Sequence, residues 1–316
     1  MRKSKLLALS LILIIGFLVS GCGTSSSDTG NKVIRIGYQK GDEFNIAQIR
    51  GNLAKALKKQ GYKVEWKEFQ AGSALLEALR AGSIDYGRTG NTPPVVAQAS
   101  GTDIVYVGVG KSKNVGSGIV VKKNSSITSL ADLKGKKIAF SKGSSSHYLV
   151  VKALKKAGLT LNDVQPVYLQ PADARIAFEK GSVDAWAVWD PFTAAAQITG
   201  NAKMLVNGKG ITTDRDFFLA KRSFAKSHTK VTKTVMSQVS EAMDWANSHH
   251  TELIAKLADA LKMDKDIVAM SVNRRTYGID KMNSTILDEQ QSIADQFYQL
   301  KIIPKKINVR DALLSN

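Results

Sequence analysis

A chain of 316 residues is long enough for two medium-sized lobes, and its 43% hydrophobic and 23% charged residues exclude a predominantly disordered protein. The net charge of +18 is unusual, and it leaves three classes of partner open: nucleic acid, an anionic surface and an anionic ligand. The single cysteine excludes a disulfide within the chain.

The N-terminus has the pattern of an export signal. Three basic residues precede an apolar run from Leu6 to Val19, which is too short and wrongly flanked for a spanning helix. Val19-Ser20-Gly21-Cys22 then resembles a bacterial lipobox, in which the cysteine is diacylated and becomes the new N-terminus. The sequence therefore predicts a lipoprotein signal peptide over residues 1–21 and a lipidated Cys22.

Residues 22–32 are rich in serine, threonine and glycine, which predicts a flexible tether between the lipid and the folded protein. A protein exported on a lipid anchor does not meet nucleic acid, so that partner is excluded. The remaining positive charge is explained by solubility beside an anionic cell envelope, and we weigh this above any specific role.

Short β-like runs alternate with helical ones along the rest of the chain. The predicted strands are 33–38, 64–69, 84–87, 103–109, 118–121, 137–140, 167–169, 185–188, 204–206 and 216–222. The predicted helices are 46–59, 73–80, a helix opening at Pro93-Pro94, a turn at 129–133, 144–157, 172–179, a helix from Pro191, and most of the chain after residue 222.

This alternation predicts an α/β protein with parallel sheets covered by helices on both faces. The pattern restarts once, so two α/β lobes joined by two crossings, near 110–117 and 210–216, are the simplest arrangement. We expect residues 33–115 and 217–316 in lobe I and residues 116–216 in lobe II.

In open α/β sheets, ligands bind beyond the carboxyl ends of the strands. In this chain those ends are followed by glycines, hydroxyls and amides at helix starts, which bind a small anion without a formal ion pair. The candidate ligand-binding residues are Gln39, Ser73, Thr89, Gly90, Asn91, Ser144, Ser145, Ser146, Asp173, Arg175, Trp189 and Asp190.

Several of these residues also have a purely structural interpretation. The serines 144–146 would suffice as the N-cap of a helix, and Arg175 can pair with Asp173 or Glu179 on its own helix. His147 is expected to pack rather than to act as a base. Of Trp186 and Trp189, we expect one in the core and the other at the wall of the cleft.

The sequence does not support catalysis. No serine lies in a nucleophile elbow, and the four scattered histidines have no metal-ligand spacing. We therefore expect a binding protein with neither a metal nor a cofactor.

A set of motifs in fixed order resembles the aliphatic-sulfonate-binding proteins of bacterial ABC importers. They are Gly37-Tyr38-Gln39-Lys40-Gly41, the segments 82–87, 89–94 and 142–147, Leu169-Gln170-Pro171-Ala172-Asp173-Ala174-Arg175, and the segment 183–191.

The resemblance implies a type II periplasmic-binding-protein fold with the ligand between the lobes. It also implies import of alkanesulfonates for sulfur acquisition, through a membrane permease and a cytoplasmic ATPase. Together with Cys22, the resemblance further implies a monomer that is anchored by lipid at the extracytoplasmic face of the cell membrane, as in Gram-positive cells.

Two positions depart from the family pattern. Arg88 stands where a small or uncharged residue is usual, and Asn91 where an aspartate is common, so we expect both to make the cleft more positive. Taurine- and nitrate-binding relatives remain alternatives, and Asp190 would hold the amine of taurine. An alternative of a different class is a pyridoxal-phosphate-dependent enzyme of the pyrimidine-synthesis type.

Overall fold

The strands of the described residues, 32–314 of this computed structural model, form two sheets. In chain order they are β1 (Lys32–Tyr38), β2 (Tyr62–Glu68), β3 (Tyr86–Gly90), β4 (Ile104–Gly110), β5 (Ser117–Lys122), β6 (Lys137–Phe140), β7 (Gln165–Tyr168), β8 (Ala185–Trp189), β9 (Ala202–Asn207), β10 (Asp216–Lys221) and β11 (Ile279–Asp280). The predicted signal peptide and Cys22 lie outside the described residues, as does the predicted tether except for Lys32.

The helices follow the predicted order with small changes at their ends. They are α1 (Glu43–Arg50), α2 (Asn52–Lys58), α3 (Gly72–Arg80), α4 (Thr92–Ala99), α5 (Ser145–Lys156), α6 (Pro171–Glu179), α7 (Phe192–Ile198), α8 (Arg222–Ser227), α9 (Thr229–Ser248), α10 (His250–Leu261), α11 (Lys265–Asn273) and α12 (Ser284–Gln299). Among these helices, none combines the length and the apolar character that crossing a membrane requires.

The single helix predicted over 46–59 is wrong. Gly51 has a φ of +73° and ends α1 in the left-handed conformation, so that α2 starts anew. Glycine adopts this conformation without the steric cost that a side chain brings. The first helix also starts three residues earlier than predicted, because the Asp42 carboxylate caps it and accepts from the Asn45 N–H at 2.7 Å.

The sheets are mixed, which corrects the prediction of parallel sheets. The order of the first sheet is β11-β4-β10-β3-β1-β2, and that of the second is β7-β6-β8-β5-β9. β10 runs antiparallel to both β3 and β4, and β5 runs antiparallel to both β8 and β9. β5 and β10 are the strands that directly follow a crossing. Each therefore starts at the end of its sheet where the neighbouring strands finish.

Both faces of each sheet are buried. Phe217 and Phe218 are neighbours on β10, and they pack into different cores on the two faces of the first sheet. Val120 and Val121 divide in the same way between the two cores of the second sheet. The chain crosses between the sheets at 111–116 and 208–215, close to the predicted crossings, and the predicted α/β fold with two lobes is confirmed. The predicted lobe limits stay a prediction.

The two crossings lie side by side. The Lys113 N–H donates to the Asp214 carbonyl at 3.3 Å, and the Gly208 N–H donates to the Asn114 carbonyl at 2.8 Å. The Lys113 ammonium also lies 2.8 Å from the Asp214 carboxylate. These bonds join the crossings into one short ribbon beside the carboxyl ends of the strands.

Candidate functional site

Two small cavities lie between the sheets, next to this ribbon. The first cavity is lined by Gln39, Lys40, Gly41, Asp42, Arg88, Lys113, Gly116, Ser117, Trp189, Asp190, Ser271 and Arg275. The second cavity is lined by Gln39, Gly72, Arg88, Thr89, Gly90, Pro93, Lys113, Ser144, Ser145, Trp189 and Asp216. Each has a volume of about 20 Å³, room for about one water molecule. An organic anion therefore needs the lobes to move apart as it enters.

The second cavity contains the interlobe clamp, by which we mean Thr89-Gly90 at the end of β3 and Ser144-Ser145 at the start of α5. A Cβ built on Gly90 would overlap the Ser145 hydroxyl, so only a glycine permits this approach. The Thr89 hydroxyl is buried and has no hydrogen-bond partner among the described residues. The fold thus brings together candidate residues that follow two different strands.

The loop before α5 is shaped by its own hydrogen bonds. The Ser144 hydroxyl donates to the Ser141 carbonyl at 2.7 Å and accepts from the His147 N–H at 3.3 Å, as an N-cap does. Gly143, at a φ of +71°, donates its N–H to His147 Nδ1 at 3.2 Å. Ser144 is therefore both a cap and a lining residue, whereas Ser145 keeps its hydroxyl toward Gly90.

His147 and Ser146 are buried behind the clamp. The His147 ring packs against Phe140, Tyr168 and Phe297, with the Phe297 centroid 5.2 Å away on α12. Burial, with a smaller effect from Lys142, lowers the pKa of His147 to about 4. The ring is therefore neutral at pH 7 and packs, as the sequence indicated. The Ser146 hydroxyl is buried without a partner in the described residues, and it does not line either cavity.

The start of α3 approaches the clamp through Gly72. A Cβ on Gly72 would overlap the Thr89 hydroxyl and would lie 2.8 Å from Pro93. Gly72 lines the second cavity, whereas the neighbouring Ser73 is exposed. The structure thus replaces the predicted Ser73 by Gly72, because the helix turns the Ser73 side chain outward.

Trp189 separates the two cavities and lines both. Its ring meets Phe192 edge to face at a centroid distance of 6.4 Å. Trp186, three residues earlier, is 1% exposed and belongs to the core. The predicted division between the two tryptophans agrees with these positions.

A buried cluster of charges forms the floor of both cavities. Arg88 Nε lies 2.6 Å from Glu43 Oε2, and its Nη2 contacts Asp216 Oδ2. Glu43 and Asp216 are both 0% exposed. Arg275 contacts Glu43 as well, and Lys113 lies 3.5 Å from Asp216.

The cluster is close to electrically balanced. Burial favours protonation of Glu43, yet Arg88 and Arg275 outweigh it and hold the pKa of Glu43 at about 2. The neighbouring Asp42 has a pKa that burial raises to about 7, despite Arg88. The expectation that Arg88 makes the cleft more positive is therefore wrong, because Glu43 and Asp216 neutralise it.

Besides Ser73 and Ser146, three further predicted residues line neither cavity. The Asn91 side chain accepts from the Thr92 hydroxyl at 3.0 Å and borders a separate groove with Tyr148 and Glu289, so it adds nothing to the charge of the clamp. Asp173 is exposed, and Arg175 Nε lies 2.7 Å from Glu179 Oε1 on the same exposed helix face. The structural interpretation of Arg175 is thus the one observed.

Sequence reasoning missed Lys113, Ser117, Ser271 and Arg275. Lys113 lies in a crossing and Arg275 in the C-terminal helical part, where no strand end marked a ligand site. The weak signal available was the pair Arg274-Arg275 directly after an apolar helix. Among the described residues, no group of histidine, cysteine and carboxylate side chains is arranged to hold a metal ion.

Comparisons with known proteins show the family of the chain and similar solved structures. The family model NMT1/THI5 like matches residues 57–252. The crystal structure of the periplasmic aliphatic sulphonate binding protein SsuA from Escherichia coli is 41% identical, with a TM-score of 0.81, and the match covers 90% of this chain and 92% of that chain.

Two further relatives are informative. The alkanesulfonate-binding protein SsuA from Xanthomonas axonopodis pv. citri bound to MOPS is 37% identical, with a TM-score of 0.84 and coverage of 89% of this chain and 97% of that one. The taurine-binding periplasmic protein of Escherichia coli strain K12 is 27% identical over 83% of this chain and 86% of its own length.

Proposed function

Because the chain belongs to the NMT1/THI5-like family and to its sulfonate-binding branch, which serves ABC importers, we propose that it captures aliphatic sulfonates between its lobes. The predicted family is confirmed by relatives at 37–41% identity. In the proposed cycle, the liganded protein is delivered to a membrane permease whose transport is driven by a cytoplasmic ATPase.

The interlobe clamp is the single observation that carries this proposal. It combines a helix start, hydroxyls and a glycine that permits close approach, next to a charge cluster that is already balanced. Such a site suits a singly charged, weakly hydrated head group, which needs hydrogen-bond donors more than a free cation.

The energetic scale is compatible with a useful affinity. Hydrogen bonds to a charged group contribute about 1.5–3 kcal/mol each, so four would contribute roughly 6–12 kcal/mol before the costs of association. A micromolar dissociation constant corresponds to about −8 kcal/mol. The clamp therefore suffices without a dedicated ion pair to the ligand.

Calorimetric titration tests the proposal. We expect heat and saturation with alkanesulfonates of several chain lengths, and weaker or no binding of nitrate and sulfate. A protein that binds none of the sulfonates would overturn the proposal.

The enzyme alternative requires a lysine that is free to form a Schiff base with pyridoxal phosphate. Lys113 lines both cavities, but its ammonium is held by Asp214 at 2.8 Å and Asp216 at 3.5 Å, and Lys40, which lines the first cavity, lies 3.9 Å from Glu68. The lysines that line the cavities therefore do not fit the cofactor. A purified protein without absorbance in the pyridoxal band would exclude the enzyme alternative.

We further propose that the protein is a lipid-anchored monomer at the extracytoplasmic face of a Gram-positive type of membrane, with Cys22 as the lipidated residue. The support is the lipobox-like Val19-Ser20-Gly21-Cys22. Replacing Cys22 by serine should abolish incorporation of labelled palmitate and release the protein from the membrane fraction. Unchanged labelling would contradict this assignment.

A further inference from the structure

Asp190, on the wall of the first cavity, is joined by an ion pair to Arg274 in the segment after α11. We propose that Arg274 is a specificity-determining residue, which makes the cleft reject sulfonates that carry an ammonium group. The inference rests on the proposed function, since it concerns which sulfonates that cleft accepts.

One oxygen of Asp190 is fully engaged. Asp190 Oδ1 accepts from the Ala194 N–H at 3.0 Å and from Arg274 Nη1 at 3.3 Å, and it also contacts the Thr193 hydroxyl. The second oxygen, Oδ2, is buried and has no hydrogen-bond partner among the described residues. Asp190 therefore has one oxygen available, but its charge is already shared with Arg274.

Arg274 bridges two parts of the chain. Its Nη2 contacts the Gln197 side-chain oxygen Oε1 on α7, while the residue itself follows α11. The side chains of Arg274 and Asp190 are only 16% and 11% exposed, so solvent screens the pair poorly. The pair is thus a largely buried contact behind the wall that Asp190 forms, and not a loose surface contact.

An ammonium group near Asp190 meets further positive charges. Lys113 and Arg275 line the same cavity, together with Arg88. Asp42, Glu43, Asp214 and Asp216 face these cations, so they do not offer a free carboxylate to a ligand. An ammonium at Asp190 Oδ2 would have to share the carboxylate with Arg274 and lie among these cations, and like charges held close together in a poorly solvated site repel strongly.

The arrangement of the two cavities brings the far end of a short ligand toward Asp190. With its head group at the clamp in the second cavity, a ligand extends past Trp189 into the first cavity. A methyl group at that position meets the Trp189 ring and glycines, whereas an ammonium meets Asp190, whose charge is shared with Arg274 behind it. The discrimination is therefore between two ligands of equal shape and different charge.

Propanesulfonate and taurine are such a pair, since taurine has an ammonium in place of the terminal methyl group. We expect wild-type protein to bind propanesulfonate more tightly in calorimetry. In Arg274→Met the ratio of taurine affinity to propanesulfonate affinity should rise by about tenfold or more. The ratio cancels any effect of Arg274 on lobe closure, which acts on both ligands alike. An unchanged ratio would overturn the inference.

Three further variants sharpen the test. The double variant Arg274→Met with Asp190→Asn should not show the rise in the affinity ratio. Removing Arg274 helps taurine only while the Asp190 carboxylate is present to hold the ammonium. Arg274→Lys keeps the cation and should keep the wild-type ratio. Arg310→Met, which removes an exposed partner of Asp288, is the matched control and should leave the ratio unchanged.

The outcomes separate the two claims. Wild-type protein that binds propanesulfonate but prefers taurine overturns the role of Arg274 alone. Wild-type protein that binds neither compound, and no longer-chain alkanesulfonate, overturns the proposed function.

Discussion

Gly90, the last residue of β3, faces Ser145, the first residue of α5, so closely that a Cβ on Gly90 would overlap the Ser145 hydroxyl and lie 3.3 Å from its Cβ. Gly90 belongs to the first sheet, whereas Ser145 starts the helix that follows β6 of the second sheet. Their approach brings a strand end and a helix start to the same point, and this places the proposed head-group site between the lobes.

Gly90→Ala should therefore weaken sulfonate binding by about tenfold or more, equivalent to about 1.4 kcal/mol for each factor of ten. The added methyl group holds the lobes apart at the clamp, while the strand itself tolerates alanine. We expect the free energy of unfolding in urea to stay within about 0.5 kcal/mol of wild type. Calorimetry and urea unfolding on the same preparation measure both quantities.

Ser145→Gly provides the matched control for this substitution. In a Ser145→Gly background, Gly90→Ala should cost much less affinity, because the colliding hydroxyl and Cβ are gone. Equal costs in both backgrounds would mean that the two residues do not meet in the liganded protein.

Trp189→Ala should weaken long alkanesulfonates more than short ones. Trp189 lines both cavities, and each buried methylene of the ligand is worth about 0.8 kcal/mol when it leaves water. The measurement is a series of dissociation constants over increasing chain length for wild type and variant. Equal losses at every length would argue against an apolar wall at this position.

Arg88→Met should destabilise the fold by about 3–5 kcal/mol, because it leaves the buried Glu43 and Asp216 without their shared cation. Urea unfolding measures this loss. The control is Arg175→Met, which removes an exposed pair with Glu179 and should change the free energy of unfolding by less than about 1 kcal/mol. Similar effects of both substitutions would show that the buried cluster is not required for stability.

His147 gives the stability a defined dependence on pH. Its pKa falls from the ordinary 6.5 to about 4 in the folded chain, chiefly by burial. Its contribution is therefore fully present above pH 6.5 and is lost as the pH falls from 6.5 toward 4, by up to about 1.4 kcal/mol per pH unit.

His147→Asn, which keeps a hydrogen-bond acceptor, should flatten this part of the pH profile relative to wild type. Asp42 acts with the opposite sign, because burial raises its pKa to about 7, and stability from its protonated form is lost as the pH rises toward 7. Comparing the two profiles cancels Asp42, and the exposed His249→Asn serves as the control. Parallel profiles for wild type and His147→Asn would contradict the assignment.

The periodic part of the fold could be predicted from the sequence. Apolar runs such as Val33–Tyr38 and Lys137–Phe140 are strands in the structure, and Gly143 and Ser144 open a helix where their types indicate. The candidate residues of the clamp followed from these elements, because ligands of open α/β sheets bind beyond the carboxyl ends of the strands. The local hydrophobic pattern and the rule that ligands bind at strand ends were sufficient to predict these features.

The direction of the strands and the partners of the buried ion pairs could not be predicted in the same way. Nothing in the sequence of Asp216–Lys221 distinguishes an antiparallel strand from a parallel one, and that depends on where the crossing enters the sheet. Likewise, the charge of Arg88 was visible, but its neutralisation needs Glu43 and Asp216, which are distant in the chain. The sequence showed that Arg88 departs from the family pattern, but the expectation that it makes the cleft more positive was wrong.

The most direct test of the account is a crystal structure of the protein with propanesulfonate. We predict that the sulfonate oxygens contact the interlobe clamp, Thr89-Gly90 and Ser144-Ser145, with the alkyl chain against Trp189. A sulfonate bound outside the two cavities, or bound inside them with its head group on Arg88 or Arg275 and away from the clamp, would contradict it.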